Sequence, residues 1–190
     1  EYGDGRFTIK GTDRSLSLVE LAGQLPEEKA GQCAGLADFD GELQTVPHGA
    51  YVAEVVVDRE TGRVHLDRLT AVDDLGVRLN PMIAEGQLHG GIAQGIGQAL
   101  MEGTVYDADS GQMVTGSLMD YCLPRADDFP DFAMHAADVP TANNPLGMKG
   151  AGEVGCIGAP AAIVNAVCDA LAIDHIDMPV TAEKVWRAMR

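Results

Sequence analysis

A chain of 190 residues, 46% of them hydrophobic, can bury a real core, so one domain or two small lobes is expected and disorder is not. The 13 basic residues against 29 acidic ones leave a net charge of −16, which repels DNA, RNA and anionic lipid and excludes nucleic acid as a partner. Cys33, Cys122, Cys156 and Cys168 lie far apart with no CxxC pair, so buried free thiols in a reducing compartment are expected rather than a zinc site or a disulfide scaffold.

From the N-terminus, "EYGDGRFTIKG" begins in what reads as mid-strand, an expectation of a piece cut from a longer chain. "FTIKGTDRSLSLVELAG" predicts a strand, a turn and a short helix, because Ser17 and Glu20 stand at capping-box spacing ahead of Leu18, Val19 and Leu21. Gln24 to Pro47 is Gly-rich and patternless, so residues 1–47 read as an irregular lead-in with one short helix.

Residues 48–172 carry the clearest signals. Tyr51, Ala53, Val55 and Val57 alternate with polar residues, "DRETGR" turns, and Val64, Leu66 and Val72 resume the alternation: a half-buried antiparallel hairpin. After Pro81, Leu88, Ile92, Ile96 and Leu100 step by four along one face of a helix ending near Glu102. That helix also holds Gly86, Gly90, Gly91, Gly95 and Gly97. Each interior glycine costs about 1 kcal/mol relative to Ala, which points to a close approach by another backbone or a ligand.

"TVYDADSGQMVTG" predicts a second hairpin; its likeness to a calcium loop fails at Gln112 and Leu118, so turn chemistry is the better reading. "DFAMHAADV" reads as a strand, and Pro160 to Leu171 as a helix with Pro160 in its first turn. The apolar stretch Val154 to Cys168, broken by Pro160, is read as too short to cross a bilayer. Residues 173–190 end in a helix capped by Thr181. Together these predict an α+β fold, a two-layer mixed or antiparallel sheet with helices.

Three readings compete for Lys149 to Gly158. By residue type alone, Glu153 is a solvated side chain on a flexible loop, and Lys149 either holds the loop by an ion pair or faces solvent, the second being the better reading. Literally, Gly150–Gly155 matches GxGxxG, a nucleotide-binding fingerprint, but "TANNPLGMK" supplies no strand ahead of it. Alternatively the glycines thin the backbone beside a bulky ligand and leave Glu153 as a proton acceptor facing it. A purely structural domain is the remaining possibility.

Residues Pro47–Gly103, then "TGSLMDYCLPRADDFP", then "PTANNPLGMKGAGEVGCIGAPAAIVNAVCDAL" resemble the C-terminal part of the molybdopterin-binding large subunit of molybdenum hydroxylases, the xanthine dehydrogenase, aldehyde oxidoreductase and carbon monoxide dehydrogenase family. The resemblance runs from about Phe7 to Leu171. It implies a molybdenum cofactor-binding type of domain, with Gly150, Ala151 and Gly152 beside the cofactor, Gln94 contacting the molybdopterin, Glu153 as the catalytic base and no protein ligand to the metal. It also implies hydroxylation of an electron-poor carbon, or oxidation of CO, with water as the oxygen source. A molybdopterin cytosine dinucleotide cofactor is implied in the parent enzyme, with FAD and [2Fe–2S] clusters on other subunits and nothing retained by this piece alone. The expected partners are the remainder of the large subunit and the iron–sulfur and flavin subunits, in a cytoplasmic homodimer without membrane insertion.

Overall fold

A computed structural model describes every residue except Ala34 and Glu42, and leaves the side chains of Ala30, Gln32 and Cys33 outside the described set. The chain divides into two units, Glu1–Asp40 and Gly41–Arg190.

In the first unit, β1 (Tyr2–Gly3), β2 (Arg6–Thr8) and β3 (Ser15–Ser17) form an antiparallel sheet, followed by α1 (Leu18–Gln24) and a 3₁₀ turn over Glu27–Cys33. The expected capping box is present: Glu20 N–H donates to Ser17 Oγ and Ser17 N–H to the Glu20 carboxylate. These bonds satisfy two of the orphan donors at the start of α1.

The second unit packs two helices on one face of a three-stranded sheet. The strands β4 (His48–Val57) and β5 (Val64–Asp74) make the predicted hairpin, with Asp58 accepting from Glu60 N–H and Thr61 in the turn. Tyr51, Ala53, Val55 and Val57 are half-buried as expected. On β5 the alternation does not hold through. Glu54 pairs with Arg68 and Val55 with Leu66, so Asp67 bulges, and the inward set changes from Val64 and Leu66 to Leu69, Ala71 and Asp73. One extra residue reverses every later side chain. Val72, expected inside, therefore stands outside, and Asp73 takes the inner position.

The long helix α2 (Pro81–Leu100) starts with Asn80 Oδ1 accepting from Ile83 N–H and with Pro81 in the first turn, where its missing N–H is harmless. It leads by a crossover to β6 (Phe132–Ala136), which pairs parallel with β5, so the sheet is mixed. Alternation shows that a strand exists but not which way its neighbour runs. The predicted hairpin at 104–116 is reduced to one bridge, Tyr106 to Met113, with Asp107 capping the turn by accepting from Ser110.

Helix α3 spans Val154–Leu171, six residues earlier than expected, and Pro160 lies inside it rather than in its first turn. The stretch read as too short to cross a bilayer thus belongs to an 18-residue helix that, with Asp169 its one charged residue, is long and apolar enough for a span by length and composition alone. Here it serves a core: Val154, Gly155, Ala159, Pro160, Ile163 and Val167 are buried against α2 and the sheet. The last helix, α4 (Ala182–Ala188), is capped by Thr181 as expected. The main core joins Leu66, Leu69 and Ala71 of β5 to Ile92, Ile96 and Ala99 of α2 and Ala159 and Ile163 of α3. Cys122 is exposed, against the expectation of buried thiols, while Cys156 and Cys168 are half-buried; the side chain of Cys33 lies outside the described residues.

Candidate functional site

The contacts between α2 and α3 climb in step. The Gln87 side chain stands beside Gly152, Gly91 beside Gly155 and Cys156, and Gly95 beside Ala159 and Pro160, so the two helices run parallel with their N-termini at the same end. A Cβ on Gly155 would lie 2.6 Å from Ile92 N and 2.7 Å from Leu88 O. Gly91, Gly95 and Gly155 are thus accounted for by helix against helix, and Gly97 by the approach of Glu102 and Pro124. Gly86 and Gly90 are different: a Cβ on either would meet nothing within 4 Å, and the same holds at Gly150.

Gly150 lies three residues ahead of α3, and Gly86 and Gly90 lie on the exposed side of α2. Glu153 is the N-cap residue of α3, is exposed, and makes no side-chain capping hydrogen bond to the helix. A carboxylate at this end is favoured by the helix dipole. Ala151 packs on the small cluster of Leu75, Leu88 and Val154. With its methyl turned inward, the flanking Gly150 and Gly152 remain bare and exposed.

Gln94 is exposed on α2. Helical spacing puts Gln87, Gly90, Gln94 and Gln98 on one stripe. The two ends of that stripe touch α3 and its lead-in, Gln87 at Gly152 and Gln98 Oε1 at 3.9 Å from Cys156 Sγ. Gln94 and the Gly150–Glu153 segment, fifty-odd residues apart in sequence, thus lie on neighbouring elements, with Gln94, Gly150, Gly152 and Glu153 exposed. Gln87 and Gln98 were missed from sequence, although their i, i+7, i+11 spacing with Gln94 was readable.

The segment feeding α3 is held from beneath. Lys149 Nζ donates to Asp74 Oδ2 at 2.6 Å, and the two side chains are only 10% and 14% exposed, so Lys149 does not face solvent as expected. Asp74 also accepts from Val139 N–H at 3.0 Å and Gly76 N–H at 2.9 Å. The Lys149 bond first, then these two amides, hold its carboxyl down at about 2. Next to it, the Tyr51 hydroxyl donates to both oxygens of Asp73, at 3.1 and 3.0 Å. Asp73 is 1% exposed, and burial raises its carboxyl while the Tyr51 bond opposes that rise. Burial and then the Asp73 charge push the Tyr51 hydroxyl well above its ordinary value. The Tyr51 ring lies against Gly158 of α3, so this pair also fixes the helix to the sheet.

The geometry required by the nucleotide-binding reading is not met. Met148 makes a single antiparallel bridge to Gly76, neither β5 nor β6 ends at Gly150, and Gly155 faces α2 inside the helix rather than a phosphate. Among the described residues no cluster of His, Cys, Asp and Glu could hold a metal ion.

Comparison with known proteins bears on the same segments. A family profile for the molybdopterin cofactor-binding domain matches residues 1–130. The chain is 36% identical over 193 residues to a carbon monoxide dehydrogenase large chain from Hydrogenophaga pseudoflava, covering 97% of this chain and 24% of that one. It is 41% identical over 155 residues to a nicotine 6-hydroxylase large subunit from Paenarthrobacter nicotinovorans, covering 80% of this chain and 19% of that one. The fold superposes on reconstituted CO dehydrogenase from Oligotropha carboxidovorans with a TM-score of 0.87 at 33% identity, over 99% of this chain and 24% of that chain. The chain thus spans about a quarter of the length of the first of these relatives.

Proposed function

Because the chain belongs to the molybdopterin cofactor-binding domain family, we propose that it forms part of the large subunit of a molybdenum-dependent oxidoreductase. The reaction proposed is hydroxylation of an electron-poor carbon, or oxidation of CO, with water as the oxygen source. Relatives named for CO and for nicotine support that range of substrates.

The observation that carries the reading is exposed backbone without side chains at Gly86 and Gly90 of α2 and at Gly150, where a Cβ would meet nothing, on the same two stretches that carry the exposed Gln94 and Glu153. Such a surface fits a large flat group with many hydrogen-bonding atoms. Gln94 would contact the pterin by its amide, and the backbone of Gly150, Ala151 and Gly152 would lie alongside. No protein side chain is asked to bind the metal. When bound, the molybdenum cofactor supplies the oxygen-transfer and two-electron chemistry.

The chain's own residues supply the acid–base step. Glu153 takes up the proton released as the oxygen nucleophile forms its bond to substrate, its carboxylate being exposed and not spent on capping α3. The finer assignments proposed with this reading are a cytosine dinucleotide form of the cofactor, FAD and [2Fe–2S] clusters on partner subunits, the remainder of the large subunit as covering half, and a cytoplasmic homodimer of the whole assembly. A relative named as subunit gamma of a 6-hydroxypseudooxynicotine dehydrogenase complex supports a multi-subunit setting.

Glu153→Gln in the complete enzyme tests this. Turnover should fall by roughly 100-fold or more, the contribution expected of a positioned base, at unchanged molybdenum content; unchanged turnover at equal molybdenum removes Glu153 from the mechanism.

A further inference from the structure

We infer that Asp74 and Lys149 are positioning residues for Glu153, an assignment that rests on the base role proposed above. Strand β5 ends in two carboxylates with opposite tasks. Asp73 is turned into the core to meet Tyr51, and Asp74 collects donors from three separate stretches of chain: Gly76 just beyond the strand, Val139 after β6, and Lys149 ahead of α3.

Lys149 is gripped twice. Its ammonium is held by Asp74 at 2.6 Å, and its own N–H donates to Leu75 O at 2.9 Å. The stretch before it is closed as well, with Val77 N–H donating to Gly147 O, and Asn144 exchanging bonds with both the N–H and the carbonyl of Met148. Beyond Lys149 come Gly150, Ala151 and Gly152, and then Glu153 at the mouth of the helix.

Two glycines flanking an alanine allow a wide range of backbone conformations. The carboxylate of Glu153 is therefore placed by what lies on either side: the buried Val154 and its helix on one, the Lys149 clamp on the other. Neither Asp74 nor Lys149 touches the reacting groups, since both side chains are almost fully covered. A misplacement of about 1 Å in a catalytic group can cost on the order of 100-fold in rate. Releasing the clamp should therefore reach the chemistry chiefly through Glu153, with unchanged molybdenum content as the check that the cofactor-facing backbone of Gly150–Gly152 still holds. That Asp74 stays ionised down to about pH 2 fits a clamp closed at any working pH.

The test uses the complete, molybdenum-loaded enzyme with Asp74→Asn and, separately, Lys149→Met. Expected are a 10- to 100-fold fall in kcat with KM and molybdenum content little changed, and faster amide hydrogen exchange across residues 150–153 with exchange in α2 unaltered. In a Glu153→Gln background, Asp74→Asn should lower kcat no further, because the group it positions is already gone. A full additional loss in that background, a loss traced to missing molybdenum, or unchanged kcat and exchange in both variants would each overturn the inference. The two ideas fail separately. If Glu153→Gln keeps its turnover, the base reading falls. If Glu153→Gln is inactive while Asp74→Asn and Lys149→Met leave kcat and exchange untouched, only the positioning role falls.

Discussion

Replacing Gly155 by Ala probes whether α2 and α3 meet backbone to backbone. A Cβ there would lie 2.6 Å from Ile92 N, 2.7 Å from Leu88 O and 3.0 Å from the Gly91 carbonyl carbon. All three are main-chain atoms of α2, which cannot rotate aside as a side chain would. Helix propensity alone favours Ala over Gly by about 1 kcal/mol. Overpacking costs roughly 1–3 kcal/mol, and a clash with rigid backbone sits at or beyond the upper end. The balance is a loss of about 2 kcal/mol, or roughly 4–8 °C in Tm for a chain of this size. Gly90→Ala, one residue from Gly91 but in open space, is the control: without a clash the propensity gain of about 0.5–1 kcal/mol should remain. Thermal and urea unfolding followed by circular dichroism would measure both variants. A Gly155→Ala chain as stable as its parent would refute the close approach, and a destabilised Gly90→Ala would refute the open face.

Tyr51→Phe removes the donor facing both oxygens of the buried Asp73 and should cost about 1–3 kcal/mol in urea unfolding. The pH dependence of Asp73 has a definite sign. Its folded carboxyl is raised by burial, so the folded chain holds that proton more tightly, and the group's contribution to stability declines as pH rises from the ordinary carboxylate value towards the folded one. Asp73→Asn should accordingly gain on the parent between acid and neutral pH, and a constant gap across that range would count against it. Asp74 runs the other way: its contribution is present above the ordinary 3.8 and lost as pH falls towards about 2. Asp74→Asn should match its parent at the acid end and fall behind on the neutral side. Gly62→Ala should cost about 2–4 kcal/mol, since Gly62 has φ +74 and a methyl there would strike Ala182 O and Trp186 of α4.

Much of this molecule could be read from local pattern. The Ser17–Glu20 cap, the β4–β5 hairpin, the apolar face of α2 and the Thr181 cap all depend on residues a few positions apart, where spacing and side-chain chemistry suffice. The family resemblance likewise rests on contiguous motifs, and those motifs are what single out Glu153 and Gln94.

What alternation and composition could not supply were facts about pairs of distant segments. The bulge at Asp67 moved Val72 outside and Asp73 inside because register is settled between two strands, not within one. The parallel placement of β6 followed from a crossover that leaves no periodic mark in either strand. Two classes of glycine looked identical in the sequence: Gly91, Gly95 and Gly155, which let helices touch, and Gly86, Gly90 and Gly150, which face open space. For Lys149 the sequence allows an ion pair or a solvent-facing side chain and favours the second; the fold brings Asp74, 75 positions away, to within 2.6 Å and covers both. Sequence by itself determined most of the elements and which residues are proposed to carry chemistry, because those depend on local propensity and recognisable motifs. Only tertiary structure decided which of them meet, because burial, charge pairing and close backbone approach exist only between segments that folding has brought together.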